Sequence, residues 1–172
     1  MKMSRYSTLA FAAAFATILH AQSNPLSAEV KRAFGGIKNN LLKSAEKMPE
    51  ENYSFKPAPT VRSFGQLIGH VADYHYIFCG AANGESKNSD LENTKKSKAD
   101  LIAALKESIA YCDAIYDAQT DAKAAEMIKL GNGTRSRLSR LYTVVSHDNE
   151  HYGNIVTYMR MKDLVPPSSE GQ

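Results

Sequence analysis

An all-α fold is predicted for this chain by three observations. Four long stretches repeat their apolar residues at helical spacing, and two of them open on serine-led capping signals. Between and within them, no convincing alternation of apolar and polar residues marks a strand. Amphipathic helices of this length bury their apolar stripes by packing on one another, which gives a four-helix bundle.

The first stretch opens at Ser27 after a Pro25-containing lead and runs to about Met48, with Val30, Phe34, Ile37, Leu41 and Leu42 on one side. Gly35-Gly36 weakens its middle and Pro49 ends it. Glu50 to Val61 holds Pro57 and Pro59, so an extended connection is expected there. Ser63-Phe64-Gly65-Gln66 then forms a capping box for a second helix reaching about Ala82. Phe64, Leu67, Ile68, Val71, Tyr74 and Phe78 mark its core face, with His70 and His75 at the edges.

Asn83 to Lys96 is polar, reads as a solvated loop and receives no function. Ser97-Lys98-Ala99-Asp100 caps the third helix, whose stripe is Leu101, Leu105, Ile109, Cys112 and Ile115 or Tyr116. A short helical piece is expected over Asp121 to Lys129, followed by a turn at Leu130-Gly131-Asn132-Gly133. Thr134 or Ser136 starts the last long helix, with Leu138, Leu141, Val144, Val145, Ile155 and Met159 inward and Pro166-Pro167 as its stop. The line 144, 147, 151, 155, 158 places His147 and His151 among those core positions.

The N-terminal residues 1–21 read as a secretory signal peptide: Lys2 and Arg5 precede an apolar run from Leu9 to Leu19, and Ala21 offers a cleavage point before Gln22. A run of eleven residues, Thr17 among them, is too short for a membrane span. Export to the periplasm or the exterior is therefore expected, with residues 22–172 as one domain. That domain keeps 19 basic residues, the 21 of the chain less Lys2 and Arg5, against 18 acidic ones. So near a balance gives no electrostatic case for a nucleic-acid partner. Cys79 and Cys112 alone are available to pair in an oxidising compartment, and both sit at positions suited to buried packing.

The chemistry concentrates in Ser146-His147-Asp148-Asn149-Glu150-His151-Tyr152-Gly153. Histidines four residues apart stand one turn above another, so both imidazoles reach one metal ion. About three converging ligands are needed, with a further position left open in a catalytic site. His70 on a facing helix is the candidate third. Two familiar patterns are excluded: Asp148 stands where a zincin has glutamate, and the paired Glu-x-x-His of a di-iron bundle is missing.

His75 is the rival ligand, but it lies about 140° around the helix from His70 and otherwise reads as a core histidine. Asp73, Asp148 and Glu150 are candidates to orient a ligand imidazole, and Tyr74, Tyr152 and Tyr158 to line a pocket. Gly69 and Gly153 let helices approach or leave room for a ligand.

The pieces Phe55-Lys56-Pro57-Ala58-Pro59-Thr60-Val61-Arg62-Ser63, Gly69-His70-Val71-Ala72-Asp73 and His147-Asp148-Asn149-Glu150-His151-Tyr152-Gly153-Asn154, with Pro166-Pro167-Ser168 after them, resemble the DinB/YfiT-like family of metalloenzymes. The resemblance spans the domain. It implies up-down-down-up topology, and a divalent metal, zinc or nickel, held by three histidines that correspond to His70, His147 and His151. It also implies possible pairing into a homodimer. In the down-down order Cys79 and Cys112 fall at similar depth, so a disulfide between them would support that order.

Three functions follow. The first is a metal-dependent hydrolase or transferase acting on a small molecule of unknown identity. The second is a non-enzymatic bundle that the metal braces, or that sequesters it. The third is an interaction module without metal.

Overall fold

In the computed structural model, which describes residues 23–171, the first helix α1 spans Pro25–Lys47. It starts two residues before Ser27, because proline lacks only an N–H that the first turn leaves unpaired anyway. Asp121 caps it from across the molecule, accepting from the Leu26 and Ser27 amides at 3.2 and 2.8 Å. The predicted signal peptide lies outside the described residues.

After a 3-10 turn at Glu50–Asn52 and an extended connection, α2 covers Phe64–Asn83. Its capping box forms as predicted: the Gln66 amide donates to Ser63 Oγ, and the Ser63 amide to Gln66 Oε1. Gly84 closes it in the left-handed conformation at φ 82°. A single-turn helix α3, Leu91–Thr94, interrupts the predicted loop. Then come α4 at Lys98–Asp117 and α5 at Asp121–Ala125.

The expected helical piece over Asp121 to Lys129 stops at Ala125. Strands β1, Met127–Leu130, and β2, Gly133–Ser136, pair antiparallel with Met127 opposite Ser136 and Leu130 opposite Gly133. The predicted turn joins them, with Gly131 at φ 57°, the left-handed first position of a type II′ hairpin. The last helix α6 runs Arg137–Arg160, capped by Ser136 Oγ, and a 3-10 turn follows at Pro167–Ser169.

Among the described residues the fold is thus all-α apart from this hairpin. Contacts between the four long helices give their relative directions. Lys98 reaches the Glu46 and Met48 carbonyls while Lys31 pairs with Asp117, so α1 and α4 run antiparallel. His75 meets Ser108, and Cys79 is disulfide-bonded to Cys112 with Cα atoms 5.5 Å apart, so α2 and α4 run parallel. The buried cysteines are therefore a cross-link and not two free packing thiols. Phe78 meets Arg140 at one end and His70 meets His151 at the other, so α2 and α6 are antiparallel.

Phe34, Leu41, Phe64, Ile68, Leu105, Leu141 and Ile155 are fully or almost fully buried between these helices and form the centre of the core. No helix among the described residues is long and apolar enough to cross a membrane.

Candidate metal centre

The antiparallel packing of α2 on α6 brings His70, His147 and His151 into one cluster, their ligand nitrogens all within 4.8 Å of one another. The i,i+4 pair points the two Nε2 atoms toward each other, 3.1 Å apart. Two donors bound to one ion at roughly 2.0–2.1 Å stand about 2.8–3.4 Å apart at octahedral to tetrahedral angles, so the spacing suits a shared cation. All three rings are mostly buried, and the Nδ1 atoms of His147 and His151 have no hydrogen-bond partner.

Burial is the main reason the His70 and His151 imidazoles titrate below their ordinary range. For His151 it acts with the neighbouring His147, His70 and Arg62 to lower the pKa to about 4. Rings held neutral in this way keep the lone pairs that a metal requires.

His70 is fixed by a residue missed in the sequence. Glu92 Oε2 lies 3.0 Å from His70 Nδ1, and an ionised carboxylate can only accept, so Nδ1–H donates and the Nε2 lone pair stays free. Arg62 Nε donates to the other oxygen of Glu92 at 2.9 Å. Asp73 holds the segment in place, accepting from Ser89 Oγ and from the Leu91 and Glu92 amides. Gly69 makes the approach possible, since a Cβ there would come within 2.7 Å of the Glu92 Cα. The small residue thus admits α3; at Gly153 a Cβ would meet nothing.

The remaining candidates separate. Tyr74 stacks on His147 with centroids 4.6 Å apart and flanks His70 at 4.5 Å. Tyr152 turns away, its hydroxyl exchanging hydrogen bonds with Ser168, whereas Tyr158 donates to the Arg62 carbonyl and lines the cavity beside His151, as its candidacy required. His75 is a core residue: Nδ1 meets Ser108 Oγ at 2.9 Å and Nε2 meets Asp148 Oδ2 at 3.0 Å, all fully buried. The Ser108 hydroxyl donates to the Leu105 carbonyl, so His75 Nδ1 is the donor in that contact.

Asp148 therefore faces inward, not into solvent. Burial pushes its carboxyl up, but the facing imidazoles of His75 and His147 outweigh this and hold it below the ordinary carboxylate range. Its second oxygen lies 3.8 Å from His147 Nδ1.

A cavity of about 730 Å³ opens beside His151 between the 56–62 connection and α6. Lys56, Arg62, Gln66, Glu150 and Asn154 are among its lining residues, so Glu150 borders open space rather than orienting a ring.

Comparison with known proteins agrees with this architecture. YjoA of Bacillus subtilis (strain 168), an uncharacterised protein, is 22% identical over 138 residues, which cover 78% of this chain and 89% of YjoA. The crystal structure of YjoA superposes with a TM-score of 0.69 at 23% identity, covering 84% of this chain and 99% of that one. A DinB-like protein from Bacillus cereus ATCC 10987 gives 0.71 at 15% identity, over 81% and 95% of the two chains. A mycothiol-dependent maleylpyruvate isomerase gives 0.63 at 12%, over 75% and 60%. The sequence pattern of the DinB superfamily matches residues 34–155, well over half the chain, and the chain belongs to that superfamily.

Proposed function

We infer that this is an exported metal-dependent hydrolase or transferase acting on a small molecule, built as an up-down-down-up four-helix bundle over residues 22–172. The observation that carries the reading is the convergence of His70, His147 and His151 from two antiparallel helices, with two Nε2 atoms at the spacing of ligands to one ion. Three imidazoles suit zinc or nickel. Bound there, a divalent cation supplies Lewis acidity and lowers the pKa of a coordinated water or thiol.

The chain's own residues do the rest. Glu92 holds His70 in one tautomer with Nε2 presented to the site, and Arg62 holds Glu92. The Tyr74 ring packs against His70 and His147 and limits how far either can swing. The cavity bordering His151 offers a substrate space with cationic, amide and carboxylate groups on its walls. That adjoining space favours catalysis over a purely bracing metal. The near balance of charge favours a small-molecule partner over nucleic acid.

Export is supported by the N-terminal pattern and by the Cys79–Cys112 disulfide, a bond that lasts in oxidising compartments. Metal analysis of protein purified without a polyhistidine tag tests the central claim. One equivalent per chain is expected in the wild type, and loss of most of it in His70→Ala, His147→Ala and His151→Ala. A full equivalent retained in all three variants would sink the assignment.

A further inference from the structure

A second polar cavity lies at the other end of the α2/α6 face, where β2 enters α6. It measures about 300 Å³, and Thr134, Arg135, Ser139, Arg140 and Thr143 are among its walls, with no carboxylate lining it. Three arginines fall within six residues here. Arg137 is engaged, its Nε on Glu126 and its NH1 on the Ala82 carbonyl. Neither Arg135 nor Arg140 has an ion-pair partner among the described residues.

Arg140 is the informative one. It is half-buried, its guanidinium carbon lies 4.2 Å from the Phe78 ring centroid, and its Nε is buried with no acceptor. A guanidinium N–H without an acceptor loses the hydration it had in the unfolded chain, a cost that stands until an acceptor arrives. Burial also lowers the guanidinium's pKa, consistent with an uncompensated cation. Thr143 donates to the Ser139 carbonyl and serves only as wall, which leaves the Ser139 and Thr134 hydroxyls as further donors. The set is donor-rich and doubly cationic, and no carboxylate lines this cavity, although Arg140 also borders a neighbouring cavity on whose wall Glu85 lies; such a donor set suits an oxyanion.

We propose that this cavity binds an oxyanion of phosphate or sulfate size, on the guanidinium groups of Arg140 and Arg135 with the Ser139 and Thr134 hydroxyls beside them. The site is separate from the histidine cluster: the Phe78 ring stands between, 4.2 Å from the Arg140 guanidinium and with its centroid 5.2 Å from that of His147. Nothing in the proposal depends on a metal being bound. The anion arrives either as a free ion or as the end of a larger molecule extending along α6.

The test is a titration of the ¹⁵N-labelled protein with inorganic phosphate, against sodium chloride at matched ionic strength, following the Arg140 Nε–H resonance. A saturable shift with phosphate and none with chloride is expected. Arg140→Gln should weaken phosphate binding about tenfold or more, the scale of one charge-assisted hydrogen bond. Arg135→Gln lies on an exposed strand position, so it guards against misfolding of the first variant and should weaken binding by a smaller factor at unchanged Tm. Arg32→Gln, at an exposed position on α1 outside the cavity's lining, should change nothing.

The shift should persist in His151→Ala, so the metal assignment and the anion site fail separately. An alkyl phosphate run in parallel distinguishes the two sources: tighter binding than inorganic phosphate marks a larger ligand, and equal binding marks the free ion. Absence of a saturable shift, or phosphate affinity unchanged in both arginine variants, overturns the proposal.

Discussion

His70 is held in one orientation by a carboxylate twenty-two residues further along the chain. Glu92 accepts from Nδ1 and is itself fixed by Arg62, so the imidazole has one tautomer and little freedom about its ring axis. Replacing Glu92 with alanine should raise the Kd for zinc about 10–100-fold, the usual effect of losing such a partner, with the helical circular dichroism unchanged. Glu92→Gln keeps an acceptor oxygen and should recover part of the loss; competition with a chromophoric chelator reads both.

The same burial that prepares the ligands has a signature in the chelator-treated protein. His151 titrates at about 4 in the fold and near 6.5 when unfolded, so between those values only the unfolded chain takes up the proton. Its contribution to stability is complete above about pH 6.5 and declines as pH falls toward 4. His70 acts in the same direction. Urea midpoints measured from pH 7 to 4 should decline less steeply in His151→Leu than in the wild type.

Packing between elements places those side chains, and Gly69 is the position where it is tightest. A Cβ at residue 69 would lie 2.7 Å from the Glu92 Cα and 2.9 Å from its nitrogen, both backbone atoms that cannot swing aside. In Gly69→Ala the α3 turn must therefore lift off α2, although alanine is the better helix former by about 1 kcal/mol. The variant should bind zinc at least tenfold more weakly, the lower end of the range for a lost ligand partner, and should melt below the wild type; calorimetry with and without zinc separates the two effects.

This contact also shows why parts of the site were legible in the sequence and parts were not. The three histidines stand on long helices whose 3.6-residue apolar period fixes their facing, and the i,i+4 spacing of His147 and His151 is itself a geometric statement. Glu92 lies in a polar segment with no period, and its place is set by Gly69 and Asp73 from another element. The hairpin escaped for a related reason. Strands of four residues show only two side chains per face, too few for alternation to register, and only the turn at Gly131-Asn132 announced itself.

For the molecule as a whole, a disulfide and the proposed metal centre would tie the helices at two places that share α2 and otherwise differ. The Cys79–Cys112 bond joins α2 to α4 across 33 residues, a loop that includes α3 and therefore Glu92. The histidine cluster joins α2 to α6. A loop of that length loses about 3–4 kcal/mol of unfolded-chain entropy at 25 °C when closed, so Cys79→Ala/Cys112→Ala should lower the unfolding free energy by about that amount. Zinc at a hundred times its Kd should add about 2.7 kcal/mol to any form that binds it. Because the two ties restrain different helix pairs, their effects should add within about 0.5 kcal/mol across the four combinations of disulfide and metal. The alternative is that opening the disulfide loosens the loop that carries Glu92. In that case the cysteine-free protein would gain markedly less from zinc than the wild type does, and the shortfall measured in urea unfolding would equal the coupling between cross-link and metal centre. Additive stabilities would instead show that Asp73 and Gly69 are sufficient to keep Glu92 on His70 without the covalent bond.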